Sequence, residues 1–278
     1  MENIAVTRTR FAQISLAMLI AISPAGASTV GPSPSKRPAA ATETLVASNP
    51  AKPTIVLVHG AFADGTGWQH IIPILQRDGY TVIAVQNALT SLAEDVATTK
   101  RVIEAQKGPV VAVGHSYGGA VITGAAAGNS NVKALVYIAA FAPEAGEPIG
   151  AYTEKYPSAL GSALRPDVAG FVTIDPPQFR ELFANDVAAA EASVMAAAQK
   201  PIIGSAFASS VTEAAWKTIP SWYLVAQQDR AINPDLERFY AKRMGAITAE
   251  IKSSHVPFVS HPKEVARLIE QAASAPAK

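Results

Sequence analysis

The chain contains no cysteine in 278 residues. That excludes disulfides, thiolate-bound zinc, iron–sulfur clusters, a thiol nucleophile and a lipid anchor on cysteine. Charge is scarce at 16% of residues, and 23 Lys+Arg against 22 Asp+Glu leaves a formal net charge of +1. Without a basic surplus nothing attracts a phosphate backbone, so no nucleic-acid partner is expected. Long apolar runs are also lacking. The stretch from Phe11 to Ile22 is about a dozen residues, short of the ~20 that span a bilayer. What is plentiful is core material: 49% of residues are hydrophobic, which excludes a disordered chain. Length allows one large domain or two small ones, and no internal repeat is visible.

The N-terminal region reads as a targeting segment. Arg8 and Arg10 precede the Phe11 to Ile22 run, and Ser23, Pro24 and the small residues Ala25, Gly26 and Ala27 follow. A charged n-region, a short h-region and an A-x-A site are the layout of a secretory signal peptide. A buried amphipathic helix is the alternative, but the segment has no polar face. Residues 1–27 are therefore expected to be a signal peptide, and the protein to be exported, periplasmic or secreted, with no stable membrane span once mature. Residues 28–53 carry Pro32, Pro34, Pro38, Pro50 and Pro53 among Ser, Ala and Thr, a composition that predicts a flexible linker.

From Thr54 the signals alternate between strand and helix. Thr54 to Val58 is a continuous β-branched apolar run, as in a strand covered on both faces. A Gly-rich loop and a helix from Trp68 to about Arg77 follow, then a strand over Tyr80 to Val85. Ser91 and Glu94 have capping-box spacing and open a helix to Lys107. Strands are predicted over 109–113, 134–140, 222–226 and 247–251, and helices over 117–127 and from about Pro234 and Pro262. Repeated β–α units predict an α/β fold with a mostly parallel central sheet flanked by helices, spanning residues 54–274. Between Phe141 and Pro220 the alternation stops for nearly eighty residues, with Ala-rich pieces such as Val187 to Ala198. So long an insertion before the penultimate strand predicts a helical lid, about residues 143–219, over the edge of the sheet where ligands bind.

The chemistry-bearing residues fall in three places. Gly114-His115-Ser116-Tyr117-Gly118 is a G-x-S-x-G between a strand and a helix, the setting of a nucleophile elbow. Gly114 and Gly118 spare the turn two Cβ atoms, and Ser116 stands at a positive helix N-terminus. A serine hydroxyl needs a base. Of the five histidines, His255 follows the last strand and is the expected base. His59 is expected to brace its loop, His70 to lie on the surface of a helix, His115 to point away from the groove, and His261 to cap the final helix. The base needs an acid. Asp229 follows the penultimate strand, and Glu144, after the preceding strand, is its rival. Two backbone N–H groups, of Tyr117 and of Ala61 in the loop after the first strand, are candidate oxyanion donors.

On these residues the chain resembles an α/β-hydrolase-fold esterase, and in particular the bacterial relatives of the plant methylsalicylate esterase and hydroxynitrile lyase group. The matching segments are Val56 to Phe62 with Gly67 and Trp68, the Ser116 elbow, Gln228 to Asp235, and Ser254 to Glu264. The order Ser116, Asp229, His255 is that of the family. The resemblance implies a Ser–His–Asp hydrolase with a helical cap, no cofactor and no metal, acting on a small-molecule ester. The lyase relatives carry Thr and Lys where this chain has Gly60 and Val256, which favours ester hydrolysis over cyanohydrin cleavage. A non-catalytic carrier is the third reading. The lid has no obvious cluster of positive charge, so an uncharged ester of small or medium size is expected.

Overall fold

A computed structural model describes residues 52–276. The expected signal peptide and almost all of the expected linker lie outside the described residues. Lys52, which was assigned to that linker, instead packs its ammonium 4.5 Å from the centre of the Tyr80 ring.

The apolar runs at the centre of the sheet become strands for the reason their composition suggests: they are covered on both sides. In chain order the first four are β1 (Thr54–Val58), β2 (Val82–Val85), β3 (Val110–Ser116) and β4 (Val132–Ala140). Every residue of β3 is buried, and all but the first of β1. Three short strands follow, β5 (Leu164–Pro166), β6 (Phe171–Ile174) and β7 (Ile202–Ile203), and then β8 (Ser221–Ala226) and β9 (Ile247–Ile251). Six of these form the central sheet in the order β2-β1-β3-β4-β8-β9, with every pairing parallel. β2 and β9 are the edges, and the exposed Thr248 and Glu250 of β9 suit that place. The strand order reverses direction between β1 and β3, which opens a crevice at their carboxyl ends.

The sheet is flanked by α1 (Ile72–Arg77), α2 (Leu92–Glu104), α3 (Tyr117–Ala125), α6 (Pro234–Met244), α7 (Pro257–Ser260) and α8 (Pro262–Ser274), while α4 (Pro176–Phe183) and α5 (Ala189–Ala197) belong to the inserted segment. The Ser91 side chain caps α2 by accepting from Glu94 N–H at 3.1 Å. The first predicted helix starts later than expected. Gly65–Trp68 forms one 3-10 turn, held by Asp64 accepting from Thr66 N–H at 2.7 Å, and α1 begins only at Ile72, where Pro73 fits the first turn. Among the described residues no helix is long and apolar enough to cross a membrane.

The segment between β4 and β8, where a helical lid is expected, has the helices and more. It holds α4 and α5, but also an antiparallel sheet in the order β5-β6-β7. Its strands have three, four and two residues, too few for a periodic signal. The turn between β5 and β6 is nonetheless a built hairpin. Asp167 Oδ1 accepts from the N–H groups of Ala169 and Phe171 at 2.8 and 2.9 Å, and Gly170 takes φ +83°.

Candidate active site

At the C-terminal end of β3 the chain turns directly into α3, and Ser116 makes the turn with φ 52° and ψ −124°. A positive φ in a non-glycine residue is strained and persists only where the surroundings fix it. Here backbone packing does so. A Cβ on Gly114 would lie 2.5 Å from the Gly118 carbonyl oxygen, and one on Gly118 would lie 2.4 Å from that of Val58. Any side chain at either place would push β1, β3 and α3 apart. Gly60 is equally constrained, since a Cβ there would stand 2.7 Å from the Ser116 Cβ. The loop after β1 is thus pressed against Ser116. Ala61 is buried beside it. Tyr117 opens α3, so its N–H is among those a helix leaves without an internal partner. Its buried hydroxyl donates to Asp95 Oδ2 at 2.9 Å, which anchors the turn from below.

The loops after β8 and β9 bring Asp229 and His255 together. His255 Nδ1–H donates to Asp229 Oδ2 at 2.5 Å, with both side chains essentially inaccessible. The other Asp229 oxygen accepts from Ala231 and Ile232 N–H at 2.6 and 2.9 Å. Three donors therefore hold the carboxylate in place. His115, fully buried, donates from Nε2 to the His255 carbonyl at 2.8 Å. Its ring packs 4.6 Å from that of His255. Burial pushes the His115 imidazole well below its ordinary range, and the nearby His255 acts in the same direction. It adds no charge to the cluster.

Ser116 and His255 line one cavity of about 410 Å³. Ala61, Phe62 and Phe141 form its floor with them, and Leu160, Val172, Phe183 and Phe207 of the inserted segment form its roof. None of its lining residues is Asp, Glu, Lys or Arg. Phe62 and Phe183, whose rings meet edge to face at 6.3 Å, also line a smaller cavity of about 70 Å³. Phe179 lines only the smaller one, while Leu182, buried in the same helix, lines neither.

The other candidates are placed elsewhere. Glu144 is only partly exposed and is bonded to Lys217 at 2.7 Å, which holds its carboxyl below the usual range. His59 does brace its loop, since its Nε2 accepts from Asn87 N–H at 3.1 Å, and burial lowers it to about 4. His70 lies in a turn rather than a helix, half-buried, and bonds Glu191 of α5 at 2.7 Å. His261 does not cap α8 with its side chain; its Nε2 lies 3.6 Å from Asp186. That same Asp186, in the inserted segment, accepts from Ser254 N–H at 3.1 Å and so steadies the residue before His255. No sequence signal pointed to it, because the contact joins positions 68 apart. Among the described residues no three His, Asp or Glu side chains converge as a metal site would require.

With this geometry in view, comparison with known proteins gives the class. The chain belongs to the alpha/beta hydrolase family, which it matches over residues 55–268. It is 28% identical over 246 residues to the alpha/beta hydrolase nvfD of Aspergillus novofumigatus, covering 80% of this chain and 97% of that protein. Among solved structures it is similar to a pyrethroid hydrolase of Sphingobium faniae, with a TM-score of 0.69 at 22% identity over 81% of this chain and 98% of the other. An extracellular alpha/beta-hydrolase of a Paenibacillus species, described as homologous to tobacco salicylic acid binding protein 2, gives 0.69 at 22% over 80% and 100%. At these identities the structural likeness speaks to the fold, and the family speaks for a hydrolase.

Proposed function

We propose that the protein is a serine carboxylic-ester hydrolase for uncharged, largely apolar esters of small to medium size. The observation that carries this reading is the placement of Ser116 and His255 on one uncharged cavity, with Asp229 bonded to the far nitrogen of His255. Because Nδ1 carries the proton donated to Asp229, Nε2 is the nitrogen free to take the proton of Ser116. Ser116 Oγ attacks the acyl carbon, and His255 Nε2 accepts its proton. The carbonyl oxygen gathers negative charge, which the N–H groups of Ala61 and Tyr117 stabilise together with the positive end of α3. Collapse of the tetrahedral adduct breaks the ester C–O bond, and the leaving alcohol takes the proton from His255. Water, deprotonated by the same imidazole, then attacks the acyl-enzyme and returns Ser116.

An apolar cavity without an ionised lining residue supports a neutral substrate, since an anionic group would enter it unpaired. Two positions support hydrolysis over cyanohydrin cleavage. Val256 is apolar and buried, so it can hold no released anion, and a side chain at Gly60 would collide with Ser116. The test is a pair of assays. Hydrolysis of p-nitrophenyl acetate that disappears in Ser116→Ala, with mandelonitrile cleaved no faster than in buffer, is the expected result. Ser116-dependent cyanide release without esterase activity would overturn the reading. We also propose export, from the sequence of residues 1–27, with a mature N-terminus at Ser28 in a secreting bacterial host. An intact Met1 on exported protein would contradict it.

A further inference from the structure

Behind Asp229 lies a second carboxyl that the reaction above does not use. Glu237 belongs to α6, and its side chain is fully buried. One oxygen, Oε2, accepts from Ala226 N–H at 3.0 Å, at the end of the strand that leads into the Asp229 loop. The other, Oε1, is buried without a hydrogen-bond partner if the group is ionised, and the polar side chain beside it is the Asp229 carboxyl. Two neighbouring carboxylates away from water cannot both carry charge. Asp229 receives two backbone N–H groups and the His255 imidazole, whereas Glu237 receives a single N–H. The charge therefore belongs on Asp229 and the proton on Glu237.

We propose that Glu237 is held protonated and donates its Oε1 hydroxyl to the Asp229 carboxylate, a positioning residue that sets how basic the Asp229–His255 pair is. The proposal rests on the reading of Asp229 and His255 as acid and base. Burial, and after it the charge of Asp229, push the Glu237 carboxyl well above the usual range. Among the neighbouring charges only Arg238 acts the other way, and it is the smallest influence. Arg238, partly exposed on the same helix, is committed to Glu250 and Asp235 at 2.7 and 2.8 Å. From β8 the group faces the buried phenol of Tyr223, which hydrogen-bonds Ala140 and which burial keeps neutral. A neutral donor satisfies both Oε1 and a remaining lone pair of Asp229, and it adds no second negative charge beside the imidazole.

The variants Glu237→Gln and Glu237→Leu separate the possibilities. The Gln amide can accept from Ala226 and donate to Asp229, so kcat/KM for an activated ester should stay within about threefold, with the acidic limb of its pH profile unmoved. Leu removes the donor from a charged acceptor, so kcat should fall about tenfold or more at nearly constant KM. Its acidic limb should move up, because a more electron-rich Asp229 stabilises the imidazolium. An ionised Glu237 would instead make both variants move that limb down by about one unit, and this would overturn the proposal. A Leu variant that merely melts earlier, with its limb unmoved, would overturn the positioning role. Infrared difference spectra decide protonation independently of turnover: the wild type at neutral pH should show a carboxylic-acid C=O band that Glu237→Gln lacks. No difference band would refute the proposal while leaving the esterase reading intact.

Discussion

At the Ser116 turn backbone packs on backbone, whereas above the cavity the inserted segment meets the body largely through side chains. Gly114, Gly118 and Gly119 each bring main chain so close that a Cβ would meet a carbonyl oxygen at 2.4 or 2.5 Å. The insertion is held by contacts of another kind: His70 to Glu191 at 2.7 Å, Arg230 to Glu181 at 3.0 Å, and Asn185 to the Gln228 carbonyl at 3.3 Å. Such partly exposed polar pairs contribute about 0–1 kcal/mol each. A methyl group added at the turn requires strands to move, but a changed ion pair above it does not. The two regions can therefore vary separately. The body holds the reacting groups, and the roof can be reshaped around different substrates with little effect on them except where Asp186 bonds Ser254 and Phe183 packs on the His255 ring.

The comparison breaks most visibly if a body residue of the site can be changed without loss. Asp229→Asn should preserve the fold but give His255 the wrong tautomer, reducing turnover by as much as ~10⁴-fold. Glu144→Gln, which loses only an exposed bond to Lys217, should leave turnover nearly unchanged. Steady-state kinetics on one activated ester would rank the two, and the reverse ranking would move the acid to the loop after β4.

The next effect is on stability. His59 is buried at the base of the loop after β1, and burial lowers it from 6.5 to about 4. Between those values the unfolded chain binds a proton that the folded chain refuses, so stability falls as pH drops from 6.5 towards 4. The loss amounts to about 3 kcal/mol. Urea unfolding across that range should show it, and His59→Gln, which keeps an acceptor for Asn87 N–H, should flatten part of the slope. An unchanged slope would mean that His59 is not the group concerned.

The smallest effects belong to the roof. Phe207 lines the cavity and packs edge to face on Phe141 at 6.1 Å. Phe207→Leu should reorder a series of acyl chain lengths by less than about tenfold in kcat/KM, the worth of one or two methylenes in an apolar pocket. Leu182→Met, in α4 but outside both cavities, should leave the order alone. Equal responses would show that the roof does not shape the pocket.

What could be read in advance follows the same division. Most of the six central strands are legible because continuous apolar runs between turn residues have few other uses, and the edge strand β9, Ile247–Ile251, through its place in the β–α alternation. The glycine-flanked Ser116 is legible because its pattern is a steric necessity. Asp229 and His255 could be picked from chain order, and they meet in the fold. The three strands of the insertion were missed because two to four residues carry no period, although Asp167 and Gly170 did mark a hairpin. Asp186 left no trace in sequence, since its partner Ser254 is far along the chain. Glu237 left a faint one: it stands in the buried stripe of α6 with Leu236, Tyr240 and Ala241, where an acid is out of place without a reason.

The most direct test of the account is the site of a covalent adduct. The protein should be treated with a fluorophosphonate, digested, and its peptides mapped by mass spectrometry. A single phosphonate on Ser116, absent from Ser116→Ala and strongly slowed in Asp229→Asn, is the predicted outcome. An unlabelled protein, or label on another residue that persists in Ser116→Ala, would contradict it.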